Sequence, residues 1–312
     1  FLVALSYRNP HIHREFELCQ VISGRVRVSS GAETHDVATG GFFIISPHQV
    51  HEIHALGSGR TRIKGAADAC EILSLQVSPR WCERFFPKMG FVEFGTRDVG
   101  AALGAASLEA LRIAMRELAL AYFTRGPAFE FACVSRVAAV FHLLMTSLPW
   151  RMLTERERSA RVARSERVNR ITEYVEAHCT ERILLSEIAR REGLTLAYLS
   201  HFFRDNLSMS FQRFVSLLRF DEARYLIERT DMPITDVSLT CGFSDYRYLN
   251  RIYAEKLGVT PAEYRKARRE SASGGGDGVS ALAYRAPLDR EDRGAKQRFY
   301  TLAESIAALE RS

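Results

Sequence analysis

The chain contains 312 residues, of which 46% are apolar and 26% are charged, and its formal net charge is +6. This length predicts about two domains, and the apolar fraction is sufficient for ordinary globular cores. The composition argues against a membrane protein, because no apolar run approaches the roughly 20 residues that span a bilayer. The best candidate, VAAVFHLLM at 137–145, is short, is interrupted by His142 and is predicted to be a buried helix.

Short β-rich runs follow one another at intervals of about ten residues through the first hundred positions. They are FELCQVISG, RVRVSSG, THDVATGG, FFIISP and HEIHALGSG. Glycine and proline separate these runs, a pattern typical of a β-sandwich or a small barrel. RVRVSS alternates as a half-buried strand does, whereas FFII is expected to be buried on both faces or inside a barrel.

Helical periodicity replaces this pattern after Gly100 and predicts a helical hairpin over 101–148, broken at Gly126-Pro127. One apolar stripe should pack on the barrel, and the remaining apolar surface is available to a second subunit. The periodicity alone is explained equally well if the whole hairpin packs in the core and forms no dimer contact. The recurring residues are Leu103, Leu108, Leu111, Met115, Leu118, Tyr122, Phe131, Val134, Val137, Phe141 and Leu144. A highly charged stretch, 149–165, follows as a solvated linker that is helical in part.

The C-terminal half contains an internal repeat, in which 185–214 and 234–264 align at offsets of 49 and then 50 residues. Each copy is predicted to form a helix, a tight turn and a second helix. Gly193 and Gly242 should end the first helices in the left-handed conformation, and Thr195 and Ser244 should cap the second helices. This is the helix-turn-helix arrangement, whose second helix can enter the major groove of DNA.

The second helix of each copy has an apolar inner face and a polar outer face. A polar solvent-exposed face is the ordinary interpretation for one copy, but two copies in register favour contact with DNA. Between them, 210–230 is predicted to be one helix of roughly 30 Å. That length is close to the roughly 34 Å between half-sites one DNA turn apart. The outward positions are Ala197, Ser200, His201 and Arg204 in the first copy, and Arg247, Asn250, Arg251 and Ala254 in the second.

Charge and cysteine content agree with this interpretation. Residues 1–100 contain 11 Lys/Arg and 10 Asp/Glu, whereas 151–270 contain 22 and 18, so a nucleic acid should bind the C-terminal half. The six cysteines are scattered without a CxxC pair or a zinc-type spacing. This favours single buried thiols in a reducing compartment, and we expect a cytoplasmic protein.

Residues 168–270 resemble the DNA-binding domain of the AraC family of bacterial transcription regulators. The most specific segments are SEIARREGLTLAYLSHFFRD, RFDEARYLI and ITDVSLTCGFSDYRYLNRIYAEKLGVTPAEYR. The resemblance implies binding to promoter DNA, activation or repression of transcription with RNA polymerase as a partner, and a small-molecule effector held by the N-terminal domain. The family's recognition positions correspond to Ala197, Ser200, His201, Arg204, Tyr246, Arg247, Asn250 and Arg251.

The segment His11-x-His13-x3-Glu17-x6-Gly24 is similar to the first cupin motif, and GFFIISPHQVH is similar to the second, which would bring His51 to the same barrel interior. Three imidazoles and a carboxylate could bind Fe, Mn, Zn or Ni. The alternative function is therefore a metal-dependent dioxygenase or isomerase fused to a DNA-binding domain. The second motif departs from the enzyme pattern, however, since Gln49 replaces its glycine.

We therefore expect the three histidines and Glu17 to line an effector pocket, with structural hydrogen bonding and metal binding as alternatives. We assign no catalytic residue, no metal ligand and no cofactor. The expected fold class is α+β in two domains. A cupin-like barrel (1–100) carries a helical hairpin that we expect to dimerise (101–148), and a charged linker (149–165) leads to an all-α domain with two helix-turn-helix motifs (166–270). Residues 271–312 are expected to be a tether and a tail with an amphipathic helix. The expected assembly is a homodimer; a scaffold that binds only proteins is a third possibility.

Overall fold

The computed structural model describes residues 1–30, 33–56, 70–95, 99–273 and 295–299. The chain divides into two compact units, and the boundary falls between Glu166 and Arg167. Within the described ranges the first unit is built on β-strands and the second is helical. The predicted α+β fold class with two domains is confirmed.

One antiparallel sheet forms the centre of the first unit. Its strands are β1 (Leu2–His11), β2 (Phe16–Ser23), β3 (Arg25–Ser30), β4 (Glu33–Ala38), β5 (Phe42–Ile45), β6 (His51–Ala55) and β7 (Cys70–Val77). Neighbouring strands follow the order β4-β3-β6-β1-β7-β2-β5, and a further strand, β10 (Ala295–Phe299), pairs with β1. The predicted short β-rich runs are thus strands of one sheet.

Alternating residues of this sheet enter two different cores. On β2, Leu18 belongs to a core that the sheet shares with helices, whereas Cys19 and Val21 belong to a second, interior core. The same alternation holds in β5, where all four residues of FFII are buried. Because successive side chains of a strand point to opposite faces, both faces of this part of the sheet are covered. The prediction that FFII is buried on both faces is confirmed.

Shorter elements lead from the sheet to the hairpin. They are α1 (Pro79–Cys82), a 3-10 turn (Met89–Phe91), β8 (Val92–Phe94), α2 (Val99–Ala102), α3 (Ala105–Thr124) and α4 (Phe129–Ser147). The inward residues of the hairpin include Leu111, Met115 and Leu144, which are almost fully buried in the core shared with the sheet. The predicted stripe is not uniformly inward, because Phe131 is 79% exposed.

Helix α4 is long and apolar enough to cross a membrane by length and composition. A core helix of a soluble protein passes the same test. Three of its residues, Val140, Phe141 and Leu144, are buried, and they lie in the core that α4 shares with α3 and the sheet. The expectation of a buried helix therefore holds on one side only.

The segment expected to be a linker, 149–165, has regular structure. Strand β9 (Trp150–Met152) pairs with β8, and helix α5 (Glu155–His178) begins three residues later and contains the boundary between the units. Thr154 and Glu157 form a reciprocal capping box, since the backbone N–H of Thr154 donates to Glu157 at 2.7 Å and that of Glu157 donates to Thr154 Oγ1 at 3.2 Å. Arg151 and Arg161 both pair with the carboxylate of Glu93 on β8. This stretch is therefore ordered against the first unit.

The second unit contains the predicted repeat. Its helices after α5 are α6 (Leu185–Glu192), α7 (Leu196–Leu207), α8 (Phe211–Arg229), α9 (Ile234–Thr240), α10 (Tyr246–Leu257) and α11 (Pro261–Ser273). Equivalent aromatic pairs join the two copies to their following helices: the ring centroids of Phe203 and Phe214 lie 5.9 Å apart, and those of Tyr253 and Tyr264 lie 5.7 Å apart. The 50-residue offset read from the sequence thus marks equivalent packing positions.

The turns within the two helix-turn-helix copies have the predicted glycine conformation, but one of the two predicted helix caps is different. Gly193 and Gly242 have φ of +65° and +80°, the left-handed conformation that was expected. The side chain of Thr195 caps α7, as predicted, by accepting from the N–H of Tyr198. The prediction for Ser244 was wrong, because α10 begins one residue later and Asp245 is its cap, accepting from the N–H of Arg247 at 2.8 Å.

The C-terminal end also differs from expectation. Helix α11 continues to Ser273, so the first three residues assigned to the tether are helical. The amphipathic helix expected in the tail included Phe299, which is instead the last residue of β10. Its other apolar positions, Leu302, Ile306 and Leu309, lie outside the described residues. All six cysteines lie within the described ranges, where they form no disulfide, and five of them are buried.

The turn glycines allow a matched test of packing in the repeat. A Cβ added at Gly242 would lie 2.3 Å from the backbone oxygen of Thr180, whereas a Cβ at Gly193 meets no atom within 4 Å. We expect Gly193→Ala to cost about 1 kcal/mol through backbone strain alone. Gly242→Ala should cost about 3 kcal/mol, since strain and a clash with backbone add.

Thermal unfolding followed by far-UV circular dichroism measures this difference. Tryptophan fluorescence is an internal reference, because both tryptophans, Trp81 and Trp150, lie in the first unit. Equal destabilisation by the two substitutions would contradict the packing difference between the turns.

Candidate functional site

Glu17 is the centre of a buried polar cluster inside the sheet of the first unit. Its side chain is 1% exposed. The Oε2 atom lies 3.1 Å from Nε2 of His13 and 3.1 Å from Nε2 of His51. The Oε1 atom accepts hydrogen bonds from Ser74 Oγ at 2.8 Å and from Gln76 Nε2 at 3.3 Å. One carboxylate therefore joins groups from three separate parts of the chain.

These contacts require the sheet to be rolled. Strands β1 and β7 lie between β6, which carries His51, and β2, which carries Glu17. Neighbouring strands are about 4.8 Å apart, so the two side chains would be separated by roughly 14 Å in a flat sheet. Their 3.1 Å contact means that the inner faces of β6 and β2 have curled together, as in a barrel.

An irregularity in β1 brings the remaining histidines to the same place. The pairing of β1 with β6 is regular at Tyr7 and Arg8, shifts register, and resumes with His11 opposite His51. Such a bulge re-aims the following side chains. The ring centroids of His11 and His51 are consequently 4.0 Å apart, and those of His13 and His51 are 4.9 Å apart.

Each of the three imidazoles also contacts a backbone carbonyl. The Nδ1 atoms of His11, His13 and His51 lie 3.0 Å from the carbonyl oxygens of Asn9, Glu15 and Gln49, respectively. These contacts fix the ring orientations, and the Nε2 atoms of His13 and His51 face Glu17. One ring nitrogen of each histidine and one carboxylate oxygen of Glu17 lie within 4.8 Å of one another.

The electrostatics of the cluster are strongly perturbed. Burial would raise the pKa of Glu17, but its hydrogen bonds with His13 and His51 outweigh burial and hold the pKa well below the usual range. Burial lowers the pKa of His11 well below its usual value, and the nearby Arg8 lowers it further. Burial also lowers the pKa of His51, although Glu17 opposes this shift. Glu17 is thus ionised and His11 is neutral near pH 7.

The structure brings together all four residues predicted to line the pocket: His11, His13, Glu17 and His51. Sequence analysis missed Ser74 and Gln76, which complete the hydrogen bonding of Glu17. They alternate on β7, and Gln76 is the register partner of Glu17. Serine and glutamine are ordinary strand residues, so only the strand register could have identified them.

The predicted recognition positions lie on the outer faces of α7 and α10. In α7 the inward residues Leu199 and Phe203 are fully buried. In α10 Leu249 and Tyr253 are equally buried. The outer positions Ala197, His201, Arg204, Tyr246, Arg247 and Arg251 are exposed, and Ser200 and Asn250 are partly exposed.

Two arginines of α10 have defined contacts on this face. Arg247 donates from Nε to Oδ2 of its own capping residue, Asp245, at 2.6 Å. The guanidinium of Arg251 lies over the ring of Tyr248, 4.1 Å from its centroid. Cation–π stacking of this kind restricts the side chain without consuming its hydrogen-bond donors. The outer face of α10 therefore presents two oriented arginines, one paired with a carboxylate and one stacked on a ring.

The role of Glu17 in the first unit can be tested by its removal. We expect Glu17→Ala to lower the free energy of unfolding by about 3 kcal/mol, because Ser74 and Gln76 would lose their acceptor inside the sheet. Glu15→Ala is the matched control: its carboxylate is 38% exposed and should contribute less than about 0.5 kcal/mol. Denaturant unfolding followed by tryptophan fluorescence gives both values, and similar losses would contradict a central role for Glu17.

Comparison with known proteins gives matches in both units. The model of the AraC-like ligand binding domain matches residues 4–83, and the model of a helix-turn-helix domain matches residues 188–267. The chain is 32% identical over 107 residues to an uncharacterised HTH-type transcriptional regulator of Staphylococcus aureus, which covers 34% of this chain. It is 25% identical to the HTH-type transcriptional activator RhaS of Escherichia fergusonii over 142 residues, which is 46% of this chain.

The chain spans 14% of the length of the staphylococcal relative and 50% of the length of the Escherichia relative. Among solved structures, an AraC-type regulator from Chromobacterium violaceum is 25% identical, with a TM-score of 0.33, and covers 36% of this chain and 99% of its own. The two matching domain models together cover about half of the chain, in the order ligand-binding domain and then helix-turn-helix domain. The chain belongs to the AraC family of transcription regulators.

Proposed function

We propose that this protein is a sequence-specific DNA-binding transcription regulator controlled by a small-molecule effector that binds in the N-terminal barrel. The observation that carries this proposal is the duplicated helix-turn-helix with both outer helix faces accessible. In each copy the inward residues of the second helix are buried and the polar residues point outward. This is the arrangement that reading DNA in the major groove requires.

The helix between the copies fits two adjacent sites on one duplex. Helix α8 has 19 residues, which is about 28 Å at 1.5 Å per residue. Half-sites one turn apart are separated by roughly 34 Å. A helix of this length fits two recognition helices into successive major grooves. The partner we propose is therefore promoter DNA.

The proposed recognition residues differ in what they can contribute. Arg247, Asn250 and Arg251 can form paired hydrogen bonds with base edges, whereas Arg204 is suited equally to phosphate. Ala197 can offer only a methyl contact, so the first copy should read fewer bases directly. The full proposed set is Ala197, Ser200, His201, Arg204, Tyr246, Arg247, Asn250 and Arg251.

The first unit supplies the proposed control. The cluster of His11, His13, Glu17 and His51 supports an effector pocket, because it concentrates polar groups inside an otherwise apolar sheet. The relatives are transcription regulators, so a regulatory role is favoured over the alternative of a metal-dependent enzyme. We propose a cytoplasmic regulator that activates or represses transcription with RNA polymerase as a partner.

We also propose that the protein forms a homodimer through the hairpin of α3 and α4. This hairpin leaves large apolar side chains exposed beside its buried stripe. Ile113 is 49% exposed, Tyr122 is 49% exposed, Phe131 is 79% exposed and Val134 is 47% exposed. Large apolar side chains left exposed on one hairpin support a protein–protein contact there.

The DNA-reading role predicts a specific effect of removing Arg251. Arg251→Ala should weaken binding to the selected promoter site by about 1–3 kcal/mol and relax base preference at one position. Arg229→Ala is the matched control, because Arg229 also stacks on a tyrosine, Tyr225, but lies on α8 rather than on a recognition helix. Binding is measured with DNA fragments selected from a random pool, at several salt concentrations.

Three outcomes of this measurement are distinguishable. Loss of affinity with relaxed base preference supports base reading by Arg251. An equal loss on every sequence, together with a smaller salt dependence, would assign Arg251 to phosphate instead. Failure of the unsubstituted protein to bind any duplex at moderate salt would overturn the proposed function.

A further inference from the structure

The cluster around Glu17 contains more hydrogen-bond acceptors than its imidazoles can satisfy. His51 has the carbonyl of Gln49 at Nδ1 and the carboxylate of Glu17 at Nε2, each within 3.1 Å. His13 likewise has the carbonyl of Glu15 at Nδ1 and the carboxylate of Glu17 at Nε2. A neutral imidazole has one N–H, so each ring faces two acceptors with one donor.

Two arrangements could resolve this deficit. Both rings could carry a proton on each nitrogen, but that would leave the buried Nε2 of His11 without a partner. Alternatively, each ring donates from Nδ1 to its carbonyl, and a cation lies between the Nε2 lone pairs and Glu17. The second arrangement satisfies every group.

His11 provides an independent observation. Its Nδ1 lies against the carbonyl of Asn9, and its Nε2 is buried without a hydrogen-bond partner. A buried polar atom without a partner costs free energy unless something else contacts it. Its ring lies 4.0 Å from that of His51, so this lone pair belongs to the same cluster.

We propose that Nε2 of His11, His13 and His51 and a carboxylate oxygen of Glu17 bind one divalent first-row transition-metal ion. Imidazole nitrogen with one carboxylate oxygen is a ligand set that suits Zn, Fe, Ni and Mn. The carbonyls at the three Nδ1 atoms supply the outer hydrogen bonds that orient histidine ligands and fix their tautomer.

The dimensions agree with such an ion. Metal–ligand bonds to nitrogen and oxygen are about 2.0–2.2 Å long, so ligand atoms of one ion lie up to about 4.4 Å apart. The four atoms lie within 4.8 Å, and small rotations of the side chains would bring them to bonding distance. The partial exposure of His11 and His13 gives the ion a route from solvent.

This inference departs from the sequence-based expectation of no metal. That expectation rested in part on Gln49, which stands where the second cupin motif has glycine. In the structure Gln49 supplies the carbonyl that orients His51, and its side chain accepts from the N–H of Ser46 at 2.9 Å. The departure from the motif therefore removes no ligand.

The test measures metal directly on the full chain. Protein stripped with a chelator is incubated with Zn²⁺, Ni²⁺, Mn²⁺ or anaerobic Fe²⁺, desalted, and its metal content is determined by mass spectrometry. We expect about one ion per chain and a rise in the unfolding temperature of the first unit, read by tryptophan fluorescence, because the ion binds the folded state.

His11→Ala is the decisive variant, because its Nε2 forms no hydrogen bond and its Nδ1 contacts only one backbone carbonyl, that of Asn9. It should weaken metal affinity more than about 100-fold while the metal-free unfolding temperature stays close to that of the unsubstituted protein. Glu17→Gln keeps hydrogen-bonding capacity but removes the charge. It should also weaken metal affinity more than about 100-fold and leave the metal-free unfolding temperature nearly unchanged. His142→Ala removes an exposed histidine of α4 and should retain the ion.

Two results would overturn the proposal: less than about a tenth of an ion per chain with all four metals, or equal affinity in His11→Ala and His142→Ala. The first result would leave a protonated imidazole cluster as the explanation of the geometry. DNA binding, measured on the same metal-free protein, reports separately on the proposed function.

Discussion

The contact between Glu17 and His51 is the constraint on which the first unit depends. It joins two strands that would be roughly 14 Å apart in a flat sheet, and so it exists only when the sheet is rolled. Rolling creates an interior core and leaves the other face of the sheet to pack against α3 and α4. A buried carboxylate is costly unless its oxygens are satisfied, and here donors from β7 satisfy Oε1. The polar cluster and the two apolar cores are therefore parts of one arrangement.

The same constraint makes this cluster suitable for control. Its groups come from the end of β1, from β2, from the start of β6 and from β7, so an ion or ligand that changes one contact acts on several strands. A ligand can shift a conformational equilibrium only as far as its affinities for the two states differ. A ligand that binds Glu17 and His51 would meet that condition, because the contact between these two residues depends directly on how tightly the sheet is rolled.

Sequence periodicity predicted the parts of this fold that depend on local chemistry. The strands, the hairpin, the turn glycines and the repeat follow from alternation, helical spacing and the conformational freedom of glycine. Contacts set by register could not be predicted in this way, since Ser74 and Gln76 become partners of Glu17 only once β2 and β7 are aligned. The start of α10 could not be predicted in this way either: both Ser244 and Asp245 are good caps, and in the structure Asp245 accepts the hydrogen bond from the N–H of Arg247.

The two halves of the repeat have the same architecture but are not equally constrained. In the second copy Gly242 lies against the backbone of Thr180, whereas Gly193 has open space beside it. The recognition helix of the second copy begins with a charged cap that holds Arg247, while the first copy offers Ala197 at a recognition position. Oriented side chains lose less conformational entropy on binding. We therefore expect most of the base discrimination to come from the second copy.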